Sequence, residues 1–345
     1  PSAVRTARRA ASATQADTPP FYVFSRGKGE GFVIVAGDDC VQPILGVTDH
    51  GDFDAANVPP ALQWLMDGWE NAITEAQDNG TNTPRRAAKA AATRDVEPLI
   101  TAHWGQNEPY NRRVPFMGSS VTHAATGCVA TQGAMLAYYW RNECYPTVQF
   151  DTPLYSGANA SATTEVQIKA GTPYRWELMQ ERYGFIDGEE YAYTPESADA
   201  VSVLMATLGM TSKLAYGYET GGSTADLNVA LQQQLGLAGK FVYKGSTYTN
   251  EAWDAIILEN IYNGMPLGYG GGGHAFVLDG YSASDNLFHF NFGFEGYNDG
   301  YYTTLTSSPT AAGGYVNNPH MLYDLQPLHP RLSANVSHQS LTYGS

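Results

Sequence analysis

Cys128, His274 and Asn291 have the residue types, order and spacing that suit nucleophilic catalysis by a thiol. His274 follows Cys128 by 146 residues, and Asn291 follows His274 by 17. A thiolate is a strong nucleophile, an imidazole can take and return a proton, and an amide oxygen can fix the imidazole tautomer. The pattern therefore predicts a Cys–His–Asn site that transfers acyl groups through a covalent intermediate.

The segment around Cys128 favours an ionised thiol. Small and apolar residues recur after Cys128 at helical spacing, namely Val129, Gly133, Leu136 and Trp140. The pattern predicts that a helix starts near Cys128, with Thr126 as its cap. Unpaired N–H groups at a helix N-terminus lower the pKa of a thiol.

His274 and Asn291 lie on two predicted strands, 274–278 and 287–292. Alternation along the second strand sends its phenylalanines to one face and Asn291 to the other, so we expect Asn291 to point into a cleft. Four glycines precede His274, and we expect Gly272 and Gly273 to let an extended substrate backbone approach.

Gln106 lies 22 residues before Cys128 and is a candidate oxyanion donor. Its side-chain N–H can bind a tetrahedral oxyanion beside the main-chain N–H of Cys128. Each residue taken alone has an ordinary alternative: a lone cysteine is most often a buried apolar residue, and a glycine run is often a flexible loop. Their order and spacing together carry the prediction.

Composition excludes several classes of function. The 345 residues carry a formal net charge of −15, which argues against a general electrostatic hold on nucleic acid or anionic membrane. No run of 18 apolar residues occurs, so we expect no membrane-spanning helix. The histidines other than His274 lack metal-ligand spacing, and we predict neither metal nor cofactor. We expect Cys40 and Cys144 to be buried thiols.

The chain divides into five predicted parts. Residues 1–20 resemble a mobile tail, 21–78 form a small first domain, and 79–96 form an exposed linker with four basic residues. A short surface helix through the alanines is the alternative for this linker. Residues 97–327 form the second domain, and 328–345 a polar C-terminal extension.

Local patterns predict the main elements. Strands are expected near 21–24, 32–36, 43–47, 274–278, 287–292 and 301–305, and helices near 60–77, 128–140, 196–209 and 225–235.

Several segments resemble the streptopain family of secreted bacterial papain-like cysteine proteases, which includes interpain. The segments are Gln-Asn-Glu-Pro-Tyr-Asn (106–111), Ala-Ala-Thr-Gly-Cys-Val-Ala-Thr (124–131) and Gly-Gly-His-Ala-Phe-Val-Leu-Asp-Gly (272–280). Residues 31–39, 44–46 and 52–54 resemble the inhibitory propeptide of that family.

The resemblance implies an α+β fold in which a small α+β inhibitory prodomain precedes a papain-like catalytic domain. It implies a zymogen with Cys128 as nucleophile, His274 as base and Gln106 as oxyanion donor. Asn57 would be the prodomain residue that intrudes on the site and displaces the histidine.

The resemblance also implies protein or peptide substrates, the prodomain as an intramolecular inhibitor, and a secreted or cell-surface, virulence-associated enzyme. No apolar signal segment precedes Pro1, and we expect it to have been removed. One departure stands out: Phe292 and Phe294 occupy positions where the family has tryptophans, which leaves Asn291 as the residue expected to orient His274.

Two rival functions remain open on sequence. One is another thiol acyltransferase on the same frame, of the transglutaminase or amidase type. The other is a non-catalytic binding or adhesion protein that retains the fold.

Overall fold

The structure is a computed structural model that describes residues 3–4, 19–78, 94–117, 122–155, 165–186, 188–304 and 319–328. Most of the predicted N-terminal tail, activation linker and C-terminal extension therefore lies outside the described residues. Ala3 and Val4, predicted to be part of a mobile tail, instead pair with Phe24 and Val23 as a short strand.

Four strands and one helix lie in the described residues of the N-terminal segment, and those from residue 21 onward occupy the positions that the local patterns predict. The elements are β1 (Ala3–Val4), β2 (Phe21–Ser25), β3 (Phe32–Ala36), β4 (Ile44–Val47) and α1 (Pro60–Asp78). Pro60 suits the first turn of a helix, because N–H groups there make no intrahelical hydrogen bond and proline has none to lose. The apolar stripe of α1 is buried, including Leu62, Leu65 and Trp69.

The C-terminal segment contributes the remaining elements. Its helices are α2 (Cys128–Tyr139), a short 3-10 helix (Trp176–Leu178), α3 (Pro195–Thr211), α4 (Thr224–Leu235) and α5 (Asn250–Tyr262). Its strands are β5 (Gly184–Ile186), β6 (Glu189–Tyr191), β7 (Leu237–Tyr243), β8 (Leu267–Gly271), β9 (His274–Ser282), β10 (Leu287–Asn291), β11 (Gly300–Tyr302) and β12 (His320–Pro327). The predictions of α2, α3, α4, β9, β10 and β11 are confirmed, whereas α5, β7, β8 and β12 were not predicted.

Ten strands form one sheet that runs through both segments, in the order β1-β2-β3-β4-β11-β10-β9-β8-β12-β7. The seam between the segments is the antiparallel pair β4–β11, where Gly46 faces Tyr302 and Val47 faces Tyr301. The structure thus bears out the expected mixture of helices and sheet, with the N-terminal strands extending the C-terminal sheet.

The two faces of β9 pack against different helices. Ala275 and Val277 belong to a core that includes α2, whereas Phe276 and Leu278 belong to a second core that includes α1. This alternation places α2 and α1 on opposite faces of the sheet. None of the described helices combines the length and the apolar character that a bilayer span requires.

Candidate active site

Cys128 is the first residue of α2, and the helix has no side-chain cap. Gly127 precedes it with a φ of +87°, a conformation that glycine adopts without strain. The prediction that Thr126 caps the helix is wrong, because its hydroxyl is bonded to that of Thr131 at 3.2 Å. The backbone amides of Ala275 and Val129 act to lower the pKa of the Cys128 thiol.

The thiol and the imidazole are both held in their neutral forms in this arrangement. Burial raises the pKa of Cys128, and the backbone N–H donors offset this only in part. Burial lowers the pKa of His274, against the smaller opposing effect of the Glu219 carboxylate. The expected ionisation of Cys128 by the helix N-terminus is thus outweighed by burial here.

His274 begins β9 and is only partly buried. Strand alternation places it on the same face of β9 as Phe276, towards α1, and on the opposite face from Ala275, whose backbone amide acts to lower the pKa of Cys128. Among the described residues no hydrogen bond joins His274 to Cys128. The structure therefore brings the two residues to neighbouring positions without forming a reactive pair.

Gln106 lies in a loop that is fixed to the start of α2. The Thr126 N–H donates to the Gln106 carbonyl at 2.8 Å, and the Thr131 hydroxyl donates to the Gly105 carbonyl at 3.2 Å. The structure thus brings the predicted oxyanion donor beside the residue predicted to be the nucleophile. A role for its side chain remains a prediction.

Asn291 ends β10 and is fully buried. Its amide nitrogen donates to the Ala102 carbonyl at 2.9 Å, and its amide oxygen accepts the Gly293 N–H at 3.1 Å. The prediction that Asn291 points into a cleft is therefore wrong, and its bonds hold the chain at residue 102 rather than His274. Phe292 fills the second core, whereas Phe294 is 43% exposed.

Gly272 and Gly273 form the tip of the β8–β9 hairpin, with φ values of +57° and +85°. A Cβ atom at Gly271 or Gly272 would lie 2.2 Å from the Trp64 side chain. Trp64, a residue of α1, is 6% exposed. The space predicted to receive a substrate backbone at Gly272 is thus occupied by this indole.

Trp64 is a residue that the sequence reasoning missed, because it lies outside the apolar stripe that predicts α1. The residue predicted to intrude, Asn57, is exposed. Its amide nitrogen donates to the Asp54 carboxylate at 2.6 Å within its own loop. The prediction that Asn57 blocks the site is therefore wrong, and the contact with the glycine hairpin comes from Trp64.

A second missed feature is the loop 217–220, which lies along the strand-like segment before Cys128. The Ala125 N–H donates to the Gly217 carbonyl at 3.3 Å, and the Thr220 hydroxyl donates to the Ala125 carbonyl at 2.7 Å. This loop carries Glu219, the carboxylate whose charge acts on His274.

A buried ion pair supports the strands behind the site. His289 Nδ1 lies 2.6 Å from Asp279 Oδ1, and the other carboxylate oxygen of Asp279 accepts the Ile100 N–H at 2.8 Å. Burial lowers the pKa of His289, but the charge and hydrogen bond of Asp279 outweigh it, so the pKa is raised. Asp279 therefore has a structural role behind the site. In the described part of the chain, no cluster of His, Cys, Asp or Glu could hold a metal ion.

Comparison with known proteins places this geometry in a family. The sequence model of the peptidase C10 family matches residues 104–302, and that of the Spi protease inhibitor matches residues 2–73. The chain is 27% identical to thiol protease/hemagglutinin PrtT of Porphyromonas gingivalis, covering 94% of this chain and 39% of that protein. It is 29% identical to streptopain of Streptococcus pyogenes, covering 85% of this chain and 75% of that protein.

Two solved structures are also similar. A fragment of prointerpain A from Prevotella intermedia aligns with a TM-score of 0.72 at 27% identity, covering 90% of this chain and 96% of that one. Active wild-type interpain A cysteine protease aligns with a TM-score of 0.54 at 29% identity, covering 66% of this chain and 94% of that one. The chain spans less than half the length of PrtT but most of each interpain structure.

The match to the peptidase C10 model extends over more than half of the residues and includes both Cys128 and His274. The chain therefore belongs to the peptidase C10 family, and it is a cysteine peptidase whose N-terminal segment is similar to the Spi protease inhibitor.

Proposed function

We propose that the chain is the zymogen of a secreted bacterial cysteine endopeptidase, held latent by residues 21–78. The observation that carries the proposal is the position of Trp64, which fills the space over Gly271 and Gly272, beside His274. A peptide backbone and this indole cannot occupy the same space. The neutral thiol and imidazole support the same latent state.

In this proposal residues 79–96 are the activation segment and residues 97–327 the catalytic domain. The activation segment contains Arg85, Arg86, Lys89 and Arg94, so the enzyme itself or an Arg/Lys-directed protease is expected to cut there. Similarity to streptopain and to the hemagglutinin PrtT supports a secreted or cell-surface location and protein substrates.

The proposed reaction starts when the prodomain leaves and the hairpin tip moves His274 to the thiol. The Cys128 proton passes to His274, and the thiolate sulfur bonds to the carbonyl carbon of a peptide. The oxyanion accepts hydrogen bonds from the Cys128 main-chain N–H and the Gln106 side chain. His274 then protonates the leaving amine as the C–N bond breaks, which leaves an acyl-enzyme. A water molecule then gives a proton to His274 as its oxygen bonds to the thioester carbon; the C–S bond breaks, His274 returns the proton to the Cys128 sulfur, and the peptide acid leaves.

Time-resolved mass spectrometry of the full chain under reducing conditions tests the proposal, with Cys128→Ala beside the wild type. We expect only the wild type to lose about residues 1–95 and then to cleave casein. Cys144→Ala is the matched control, because Cys144 is a buried thiol of the same domain and should be dispensable for turnover. Equal peptidase activity in Cys128→Ala and wild type would end the assignment of the nucleophile.

A non-catalytic protein with the same fold is the second candidate, favoured by the raised pKa of Cys128. Alkylation by iodoacetamide separates the two. An active enzyme should show Cys128 reacting much faster than Cys40 after trypsin nicks the activation segment, since burial raises the pKa of Cys40 to about 11. Comparable, slow alkylation of both thiols together with no casein cleavage would favour the binding protein.

A further inference from the structure

Gln132 is a buried amide that the proposed mechanism does not use. It lies one helical turn after Cys128 in α2 and is 0% exposed. Its amide nitrogen donates to the Tyr269 carbonyl at 2.8 Å and to the Phe276 carbonyl at 2.5 Å. A buried side chain that donates to two backbone carbonyls at once fixes its own position and theirs.

The two acceptors are directly paired residues of one hairpin. Tyr269 of β8 faces Phe276 of β9 in the antiparallel register, two pairs below the closing Gly271–His274 pair. His274 lies in the closing pair of this hairpin, opposite Gly271. One amide therefore binds both strands of the hairpin that carries His274.

Gly268 provides the space for this amide. A Cβ atom there would lie 3.0 Å from Gln132 Cδ and 3.1 Å from its Nε2 and Oε1 atoms. These distances are shorter than ordinary van der Waals contacts, so a larger residue at 268 would force Gln132 to shift. The Gln132 amide therefore depends on glycine at position 268.

Cys128 and Gln132 face β9 together. Residues four apart share one face of a helix, so the thiol and the amide lie along the same line on α2. The backbone amide of Ala275 acts to lower the pKa of the thiol, and the next residue, Phe276, accepts a hydrogen bond from Gln132. The nucleophile helix thus meets β9 at consecutive residues, next to His274.

We propose that Gln132 is a positioning residue for the Cys128–His274 pair. It fixes the base of the β8–β9 hairpin to α2, so that only the glycine tip and His274 move when Trp64 withdraws. This inference rests on the proposed peptidase function. Without Gln132 the hairpin base can shift along α2, and a misplacement of about 1 Å between reacting groups can cost on the order of 100-fold in rate.

The first test replaces Gln132 with methionine, which keeps the volume and removes both hydrogen bonds. Gln234→Met is the matched control. Gln234 is 1% exposed in α4, where it donates to the Phe150 carbonyl at 3.0 Å and accepts the Gln149 N–H at 3.0 Å, away from the hairpin. In the full chain after activation, we expect Gln132→Met to lower kcat roughly tenfold or more with KM changed by less than about twofold. Gln234→Met should lose thermal stability but retain kcat.

A second test measures the formation of the thiolate–imidazolium pair between Cys128 and His274. The rate of Cys128 alkylation by iodoacetamide, followed against pH in the activated chain, reports the thiolate–imidazolium pair. We expect Gln132→Met to shift or remove the acidic limb of this profile, whereas Gln234→Met leaves it in place. Gln132→Glu adds a rescue experiment: a protonated carboxyl group can donate to one carbonyl, so activity should recover partly as the pH falls.

The outcomes separate this inference from the proposed function. If the activated wild type cleaves casein and Gln132→Met matches it in kcat and in its pH profile, Gln132 has no positioning role. Equal loss of kcat in Gln132→Met and Gln234→Met would also overturn the inference, because it would show a general effect of destabilisation. If Gln132→Met does not fold, Gln132→Glu takes its place: recovery at acidic pH supports the positioning role, and no recovery overturns it. A wild type without casein cleavage and without fast Cys128 alkylation would instead overturn the proposed function.

Discussion

The two hydrophobic cores of the molecule differ in which part of the chain builds them. The buried residues of the first core all lie at or beyond Ile100, and they include α2, α3 and α4. The second core combines residues from Phe21 to Ile73 with sheet and α5 residues from Trp253 to Met321. A cut within residues 79–96 followed by release of the N-terminal segment would leave the first core intact and open the second.

The second core also contains the contacts on which the proposed latency depends. Trp64 lies against Phe276 with ring centroids 6.1 Å apart, and Trp69 stacks on Tyr302 at 6.3 Å. Aromatic packing of this kind contributes both buried area and orientation. The first core therefore stabilises the C-terminal segment by itself, whereas the second core, in the proposed zymogen, would link the stability of the uncleaved chain to its inhibition.

The largest effect should come from matched truncations in the two cores. Trp69→Ala should cost the uncleaved chain about 3–5 kcal/mol of unfolding free energy, and Leu204→Ala about 2–5 kcal/mol. Both side chains are 0% exposed. Urea unfolding should show the Leu204 penalty both in the uncleaved chain and in the released catalytic domain, whereas Trp69→Ala can be measured only in the uncleaved chain. A Leu204 penalty that is lost when the N-terminal segment leaves would contradict the division into two cores.

Trp64→Ala should separate latency from stability. Removing the indole uncovers Gly271 and Gly272, so Cys128 in the uncleaved chain should be alkylated about tenfold faster or more. This corresponds to a decrease of roughly 1.4 kcal/mol or more in the free energy needed to expose the thiol. Ile73→Ala is the control, because Ile73 is buried in the same helix and its carbonyl faces Cys40. If both variants expose Cys128 equally, general loosening of α1 rather than Trp64 governs access.

Gly46→Ala should weaken the seam between the segments. A Cβ atom at residue 46 would lie 2.3 Å from Cδ1 of Tyr302, so the added methyl should cost about 1–3 kcal/mol. Gly68→Ala, in α1, is the control of opposite sign: nothing lies within 4 Å of its Cβ position, and alanine should stabilise the helix by up to ~1 kcal/mol. Thermal unfolding of the uncleaved chain measures both changes.

The smallest effect concerns pH. His50 Nε2 donates to the Gly296 carbonyl at 3.2 Å across the two segments, beside the carboxylates of Asp49 and Asp299. Burial lowers the pKa of His50, but hydrogen bonds to Asp49 and Gly296 outweigh it, and the pKa is raised.

Because the folded pKa lies above the unfolded one, this contact stabilises the latent form fully at acidic pH. The contribution is lost as the pH rises through the raised pKa. The rate at which the nicked prodomain is released should therefore increase as the pH rises through this pKa, by a few-fold at most. His50→Gln should make that rate nearly independent of pH over the same interval. An unchanged pH dependence in His50→Gln would assign the effect to another group.

Local sequence patterns were sufficient to predict the elements that have a clear β-favouring run or an amphipathic stripe. The β-favouring runs predicted at 21–24 and 32–36 form strands, α1 forms over its predicted apolar stripe, and α2 starts at Cys128. β8 was missed because three of its five residues are glycines, which have low strand propensity. Its conformation is set by pairing with β9 and β12, which local sequence does not report.

The site residues also divide into those that motifs locate and those whose contacts join distant parts of the chain. Cys128 and Gln106 were placed together by motif and spacing, and the loop contacts are consistent with that placement. The bonds of Asn291 could not be predicted, because its acceptor at Ala102 lies 189 residues away in the chain. The contact of Trp64 with the glycine hairpin likewise joins two distant segments, and the absence of side chains at 271 and 272 was the only signal for it.

The seam at β11 has a consequence for the released enzyme in solution. In the uncleaved chain β11 pairs with β10 on one side and β4 on the other, and the Thr303 N–H next to it donates to the Leu45 carbonyl at 3.0 Å. If β4 leaves as proposed, this inner strand becomes a free edge, the kind of surface on which other chains aggregate. β11 contains only three residues, and so short an edge disfavours pairing with another chain, so we expect the proposed maturation not to make the released enzyme prone to aggregation.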